Sequence, residues 1–307
     1  LLDGVFNHVS RRNRIVQDAQ SAGPDSDAGR MVRWCAGRLD VFEGHSDLVA
    51  LNHDNPAVRE HVTRIMNYWC GRGVDGWRLD AAYSVNPEFW AAVLPSVREK
   101  YPDVWIFGEV IHGDYASIVR ASGMDSVTQY ELWKGIWSSI ESRNFFELDH
   151  ALGRHNEFSD AFTPMTFVGN HDVTRIASRV GQDGAVLATA ILATIGGIPL
   201  IYYGDELAYR GVKEERFGGD DDIRPVFPAS PADLSNLGAD TLRAHQSLLG
   251  LRRRHPWLVD ARTESLDLTN ERYVYRTGVP GVEPLIVELD VRDGCSVLIR
   301  EAGQVVW

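Results

Sequence analysis

The chain has 307 residues, of which 44% are hydrophobic and 10% aromatic, and its formal net charge is -12. That length and apolar content suffice for one large domain and a small second one. The acidic balance argues against a nucleic-acid partner, which calls for basic patches, and it fits a soluble protein acting on a neutral substrate. No run is long and apolar enough to span a bilayer, so no membrane partner is expected. Cys35, Cys70 and Cys295 are far apart, odd in number and without a CxxC pair. Neither a zinc site nor a disulfide framework is therefore expected. No secretory leader is visible, and three unpaired thiols favour the cytoplasm.

Short apolar runs alternate with amphipathic helical stretches. Residues 1–5 read as the tail of a strand. Residues 9–52 carry scattered Gly, Pro, Asp and Ser with little periodicity, and a segment that long without regular structure is usually functional. Asn55 followed by Pro56 starts a helix as cap and first-turn residue. Val62, Ile65, Met66 and Trp69 supply its apolar face, Cys70 is a small core residue, and Gly71 and Gly73 end the helix. A strand is predicted at 76–79, a helix at 87–100, a strand at 104–109, a helix at 115–121 and a strand at 126–131. Helical segments follow from 133 to 159, then a strand at 166–170, a helix at 184–193, a strand at 200–203 and a last long helix at 242–255. Strands alternating with helices imply parallel βαβ units and an α/β fold. Beyond Pro256 the pattern becomes strand-like at 273–277, 285–291 and 296–300, which predicts a small antiparallel β domain with its hinge at 254–262.

Four short boxes carry chemistry: DGVFNH at 3–8, GVDGWRLDAA at 73–82, FGEV at 107–110 and FVGNHD at 167–172. Hydrolysis of a glycosidic bond with retention needs two carboxyl groups about 5–5.5 Å apart, one ionised as nucleophile and one protonated as acid. Parallel barrels place catalytic side chains at the C-terminal ends of different strands. Asp80 and Glu109 each end a predicted strand, one βα unit apart, and Asp172 ends another. Arg78 lies two residues before Asp80, hence on the same strand face, where its charge keeps the Asp ionised. Trp105, Ile106 and Phe107 precede Glu109, and a partly apolar setting favours its protonated form. His8 and His171 end two strands and can donate to sugar hydroxyls. Taken singly, each box has a plain explanation as a helix cap, a surface ion pair or a solvated loop. Four of them in order at strand ends do not.

These boxes resemble the four sequence regions of the α-amylase superfamily, glycoside hydrolase family 13, over essentially the whole chain. The resemblance implies an α/β fold: a TIM (β/α)8 barrel with a short domain B insertion and a small C-terminal antiparallel β domain. In that reading 1–8 is the end of the third barrel strand, 9–52 domain B, 53–256 the rest of the barrel and 257–307 the β domain. The first two strands have no counterpart, so the chain is expected to be N-terminally truncated, with an open barrel whose first and last strands have free edges, and not to hydrolyse maltooligosaccharides at the rate of a full-length version. The resemblance makes Asp80 the nucleophile, Glu109 the general acid/base and Asp172 the carboxylate that grips sugar hydroxyls. Arg78, His8 and His171 are similar to residues lining the subsite of the cleaved sugar, and Asp3 and Asn7 to residues that support it.

The GEVIH context at 108–112 is closer to the neopullulanase, cyclomaltodextrinase and α-glucosidase-like side of the family. The implied activity is retaining hydrolysis of α-1,4-glucosidic bonds in α-glucans or maltooligosaccharides, and the implied partner is that substrate. Tyr83, His112 and Arg224 are further substrate-binding candidates, with an ordinary loop role as the alternative for His112 and Arg224. Trp133 and Trp137 stand at helical spacing, which favours core packing over sugar stacking. Asn7 matches a calcium-binding position of some relatives, but without partner ligands, so no metal or cofactor is expected. Two alternatives stay open: a transglycosylase of the trehalose synthase or sucrose-active type, and a non-catalytic scaffold, against which the three acids count.

Overall fold

The computed structural model describes residues 1–307 apart from Phe217 and Ser235. The chain divides into two compact units, Leu1–Thr128 and Gln129–Trp307.

In the first unit, four parallel strands form one sheet in the order β1 (Leu2–Gly4), β6 (Gly76–Leu79), β7 (Trp105–Gly108) and β8 (Ser126–Val127). β1 therefore lies at the sheet edge. The registers Asp3↔Arg78 and Arg78↔Phe107 set three strand ends side by side. Helices α3 (Pro56–Cys70), α4 (Pro87–Arg98) and α5 (Tyr115–Ser122) make the crossovers. Asn55 and Asn86 cap α3 and α4 by accepting from Ala57 and Glu88 N–H, each with Pro in the first turn, where the missing donor costs nothing.

α3 buries Val58, Val62, Met66 and Cys70 at i, i+4 spacing. Trp69, expected on that face, is 43% exposed, and Ile65 is half-buried. Trp77 in β6 donates to the Cys70 sulfur at 3.4 Å, so that cysteine is core as expected.

Residues 9–52 hold more structure than their composition suggests. After β2 (His8–Ser10) come α1 (Arg14–Ala22), α2 (Asp27–Met31), the hairpin β3 (Trp34–Cys35) and β4 (Arg38–Leu39), and β5 (Leu48–Ala50), antiparallel to β2. The expectation of an unstructured segment failed because α1 buries just Val16 and Ala19, too little to leave a periodic signal.

In the second unit, α6 (Tyr130–Ser142) starts at Gln129, whose side-chain oxygen accepts from Glu131 and Leu132 N–H. That cap corrects the strand expected over 126–131, which ends at Val127. α7 (Phe145–Ser159) follows. β9 (Met165–Phe167) pairs in parallel with β10 (Ile198–Leu200); both are shifted toward the N-terminus from the expected strands. Between them, α8 (Ile176–Thr194) is longer than expected and breaks at Gly181, whose φ is 74.

α9 (Ala239–Arg254) leads to a five-stranded antiparallel sheet in chain order: β11 (Arg262–Leu268), β12 (Arg272–Gly278), β13 (Leu285–Asp290), β14 (Ser296–Glu301) and β15 (Gln304–Val305). β11 was missed because its centre is exposed and, Leu266 apart, polar. One apolar core, including Ile136, Leu152, Ile191, Leu251, Tyr275 and Val287, joins this sheet to the helices. Trp133 stacks on Phe167 at 5.7 to 6.2 Å from its aromatic neighbours, and Arg179 lies 3.9 Å from the Trp137 ring, in keeping with packing. Among the described residues no helix is long and apolar enough to cross a membrane.

Candidate active site

The first unit gathers its acids around one guanidinium. Arg78 Nη1 donates to Asp3 Oδ1 at 2.6 Å and to Asp80 Oδ1 at 2.9 Å, and Nη2 lies 3.0 Å from Glu109 Oε1. The strand register produces this. Asp80 N–H bonds Gly4 O at 3.1 Å and Glu109 N–H bonds Leu79 O at 2.9 Å, so both acids prolong adjacent parallel strands by one residue. Alternate residues of a strand share a face, which turns Arg78 toward Asp80. Burial works against the charge on Arg78, but Glu109, Asp3 and Asp80 together outweigh it and hold its pKa above the ordinary arginine value.

Glu109 is 6% exposed. Its Oε2 accepts from Ala81 N–H at 2.9 Å. Ala81 has the left-handed φ of 44, a conformation a non-glycine residue adopts at a cost and seldom outside turns and sites. Here it aims the amide after one acid at the carboxylate of the other. The observed surroundings of Glu109 thus include two polar donors, Arg78 and the Ala81 amide.

His8 is buried, with Nε2 4.0 Å from Asp80 Oδ2. The Asn7 amide meets His8 Nδ1 at 3.3 Å. An amide nitrogen only donates, so Nδ1 accepts and Nε2 keeps the hydrogen that faces Asp80. Burial lowers the His8 pKa, Asp80 partly opposing, and the ring is neutral at neutral pH. Tyr83 N–H bonds Glu109 O at 3.3 Å, and its hydroxyl donates to Glu43 Oε1 at 2.8 Å. Burial first, and Glu43 next, push the Tyr83 pKa up. His112 is exposed, its ring 5.6 Å from that of Tyr83.

Two residues here were not anticipated. Phe42 stacks on His8 with centroids 4.8 Å apart and planes 16° apart, and Glu43 reaches Tyr83 from a left-handed backbone at φ 48. Both lie in the irregular part of 9–52, where no spacing marks them.

The second unit carries the other predicted residues. Asn170 Oδ1 accepts from Asp172 N–H at 2.8 Å and turns the chain after β9. Asp172 Oδ1 takes Arg224 Nη2 at 2.8 Å, and Oδ2 lies 3.1 Å from His171 Nε2. Arg224 Nε also donates to His171 O at 2.8 Å, and Nη2 lies 2.9 Å from Asp220 Oδ2. Arg224 is therefore brought to Asp172 from 52 residues away; Asp220 was not anticipated.

The sequence profile described as "Alpha amylase, catalytic domain" matches residues 39–262. The chain is 34% identical over 188 residues to alpha-amylase 3 of Dictyoglomus thermophilum, covering 56% of this chain and 37% of that protein. It is 29% identical over 282 residues to a maltogenic alpha-amylase of Bacillus acidopullulyticus, covering 85% and 45%. The chain thus spans less than half the length of either. Among solved structures, a cyclic alpha-maltosyl-(1→6)-maltose hydrolase from Arthrobacter globiformis aligns with a TM-score of 0.81 at 22% identity, covering 98% of this chain and 74% of that one. A matched profile across most of the chain carries with it the family's TIM-barrel catalytic architecture and C-terminal β domain, and the chain belongs to the alpha-amylase catalytic-domain family.

Proposed function

We propose that this chain carries the machinery of a retaining glycoside hydrolase acting on α-1,4-glucosidic bonds of α-glucans or maltooligosaccharides. The observation that carries the reading is the single guanidinium of Arg78 held by both Asp80 and Glu109 at the ends of neighbouring parallel strands. One guanidinium touches two carboxylates only when they are close neighbours, which is what double displacement requires. The relatives named as amylases support the substrate class.

In the proposed reaction, Glu109 protonates the glycosidic oxygen as the bond to C1 breaks, and Asp80 attacks C1 to give a glycosyl ester. Glu109, now ionised, takes a proton from water, whose oxygen displaces Asp80 and returns the sugar with its original configuration. Arg78 donates to Asp80 and so orients the nucleophile. Neutral His8 is a hydroxyl donor beside the nucleophile, and Asn7 fixes its tautomer. Asp172, with His171 and Arg224, is the family's sugar-gripping carboxylate by its place in the sequence pattern; Tyr83 and His112 are substrate contacts. Residues 9–52 correspond to domain B.

A mechanism-based 2-fluoroglucosyl fluoride tests the reading. It is expected to label Asp80 in the full chain, and labelling elsewhere, or none, sinks the assignment. Products from maltotriose then separate two outcomes. Glucose and maltose alone mean hydrolysis, whereas longer or isomeric oligosaccharides mean transfer.

A further inference from the structure

Arg175 stands at the position just before α8, and its side chain is fully buried. A buried arginine needs partners for its charge and its five donors. Nη1 bonds Tyr203 O at 2.6 Å and Asp205 Oδ1 at 3.0 Å. Nε and Nη2 converge on one acceptor, Ile223 O, at 3.1 and 2.9 Å. The Tyr202 hydroxyl donates to the same carbonyl at 3.1 Å, and the Tyr202 ring lies 4.3 Å from the guanidinium carbon.

That carbonyl belongs to the peptide unit whose nitrogen is Arg224. Fixing its oxygen from three donors fixes the plane from which the Arg224 side chain departs. Arg224 is itself 41% exposed along its side chain, and an unanchored arginine there would sample many rotamers. Asp205 completes the arrangement. It is 1% exposed; Oδ1 holds Arg175, and Oδ2 lies against Gly169, where a Cβ would sit 2.3 Å away. Gly169 is on the short segment between β9 and His171, so the same carboxylate braces the segment leading to Asp172 from its other side.

We propose that Arg175 and Asp205 are positioning residues for Asp172, acting through the 223–224 peptide that carries Arg224. This rests on the reading of Asp172 as a substrate-gripping carboxylate. A lysine at 175 would supply the charge without the fork that spans Ile223 O and Asp205.

The test is a double-mutant cycle on the full chain with maltotriose, using Arg175→Lys, Asp205→Asn, Tyr202→Phe and Arg224→Ala. Arg175→Lys and Asp205→Asn are each expected to lower kcat by about tenfold, a coupling size usual for residues in one network. Added to Arg224→Ala, they are expected to cost nothing further, because the path they act through is already gone. Losses that multiply in the double variants would make the pair mere core support and overturn the proposal. Should Arg175→Lys fail to fold, Asp205→Asn and Tyr202→Phe, which keep size and shape, complete the cycle.

Amide hydrogen exchange gives a readout independent of activity. Residues 220–226 are expected to exchange at least tenfold faster in Asp205→Asn while α8 residues 185–194 keep their protection. Unchanged exchange at 220–226 would also overturn the proposal. If the unmodified chain cleaves no α-glucan, the glycosidase reading fails, and the exchange experiment still decides whether Asp205 orders this peptide.

Discussion

The two acidic clusters are built on opposite plans. In the first unit one cation serves three anions: Arg78 is shared by Asp3, Asp80 and Glu109. In the second unit one anion collects two side-chain donors, as Asp172 takes Arg224 and His171, with Arg224 also reaching Asp220. Exposure differs in the same sense. The Glu109 side chain is 8% exposed and that of Arg78 17%, against 33% for Asp172 and 41% for Arg224. The difference teaches where charge is scarce. A surplus of carboxylate around one guanidinium suits groups that must exchange protons and form a bond. Two donors gathered on one carboxylate suit a group that binds without reacting.

The comparison can be broken by substitution, beginning with the largest effect. Asp80→Ala is expected to reduce kcat by at least ~10⁴-fold on maltooligosaccharides, the scale of losing a catalytic nucleophile. Glu109→Gln is expected to cost about 10²–10⁴-fold, with most of it recovered on aryl glycosides whose leaving group needs no proton. A Glu109→Gln variant equally impaired on both substrates would remove the acid from the first cluster. Asp172→Asn is expected to lose about 10²–10³-fold, as for one electrostatic contact to the transition state, with no recovery on activated substrates. That contrast in leaving-group dependence is the sharpest distinction between the clusters.

Arg78→Met should test the shortage of cations directly. It leaves three carboxylates facing one another, and urea unfolding is expected to show a loss of about 2–4 kcal/mol, the upper values being reduced by solvent at half-exposed Asp3. The second unit offers a control away from its cluster. His155 in α7 is fully buried, its Nε2 3.2 Å from Gly196 O, and burial lowers its pKa to about 4. A histidine depressed in the folded state contributes stability above its unfolded value of about 6.5, and that stability is lost as pH falls toward about 4. His155→Gln is expected to remove roughly 2 kcal/mol of the stability change between pH 6.5 and 5. The measurement must be the difference between variant and parent. Asp205, raised to about 6 chiefly by burial, acts with the opposite sign between about pH 4 and 6. Tyr83→Phe is the mildest change: it frees Glu43, and a rise in KM of about threefold is expected, in line with a partly exposed polar pair.

Much of this was legible in the chain because the informative residues are crowded. Arg78 and Asp80 are two apart, and strand alternation alone puts them on one face. The acids at 80, 109 and 172 each end an apolar run, and the structure finds the first two adjacent on parallel strands and the third just beyond β9. The helix starts at Asn55 and Asn86 were readable because cap and proline sit together. What was illegible depends on distance or on backbone conformation. Nothing in sequence links Arg224 to Asp172 or Arg175 to Ile223. Glu43 reaches Tyr83 only from a left-handed φ, which its neighbours do not signal. The strand extended over 126–131 failed for a local reason, since a glutamine cap starts α6 where the apolar run still looked continuous. Trp69 failed because hydrophobicity was taken for burial one position off the i, i+4 row of Val58, Val62, Met66 and Cys70.

The left-handed alanine after Asp80 has an evolutionary corollary. A saturation library opened at residue 81 would enrich glycine and asparagine and discard valine, isoleucine and threonine, although no side chain at that position needs to meet a sugar. The filter would act through the main chain, because a branched replacement would swing the 81 amide away from the acid on the next strand. Tolerance at 81 would then record how strictly the pair of acids must stay in step.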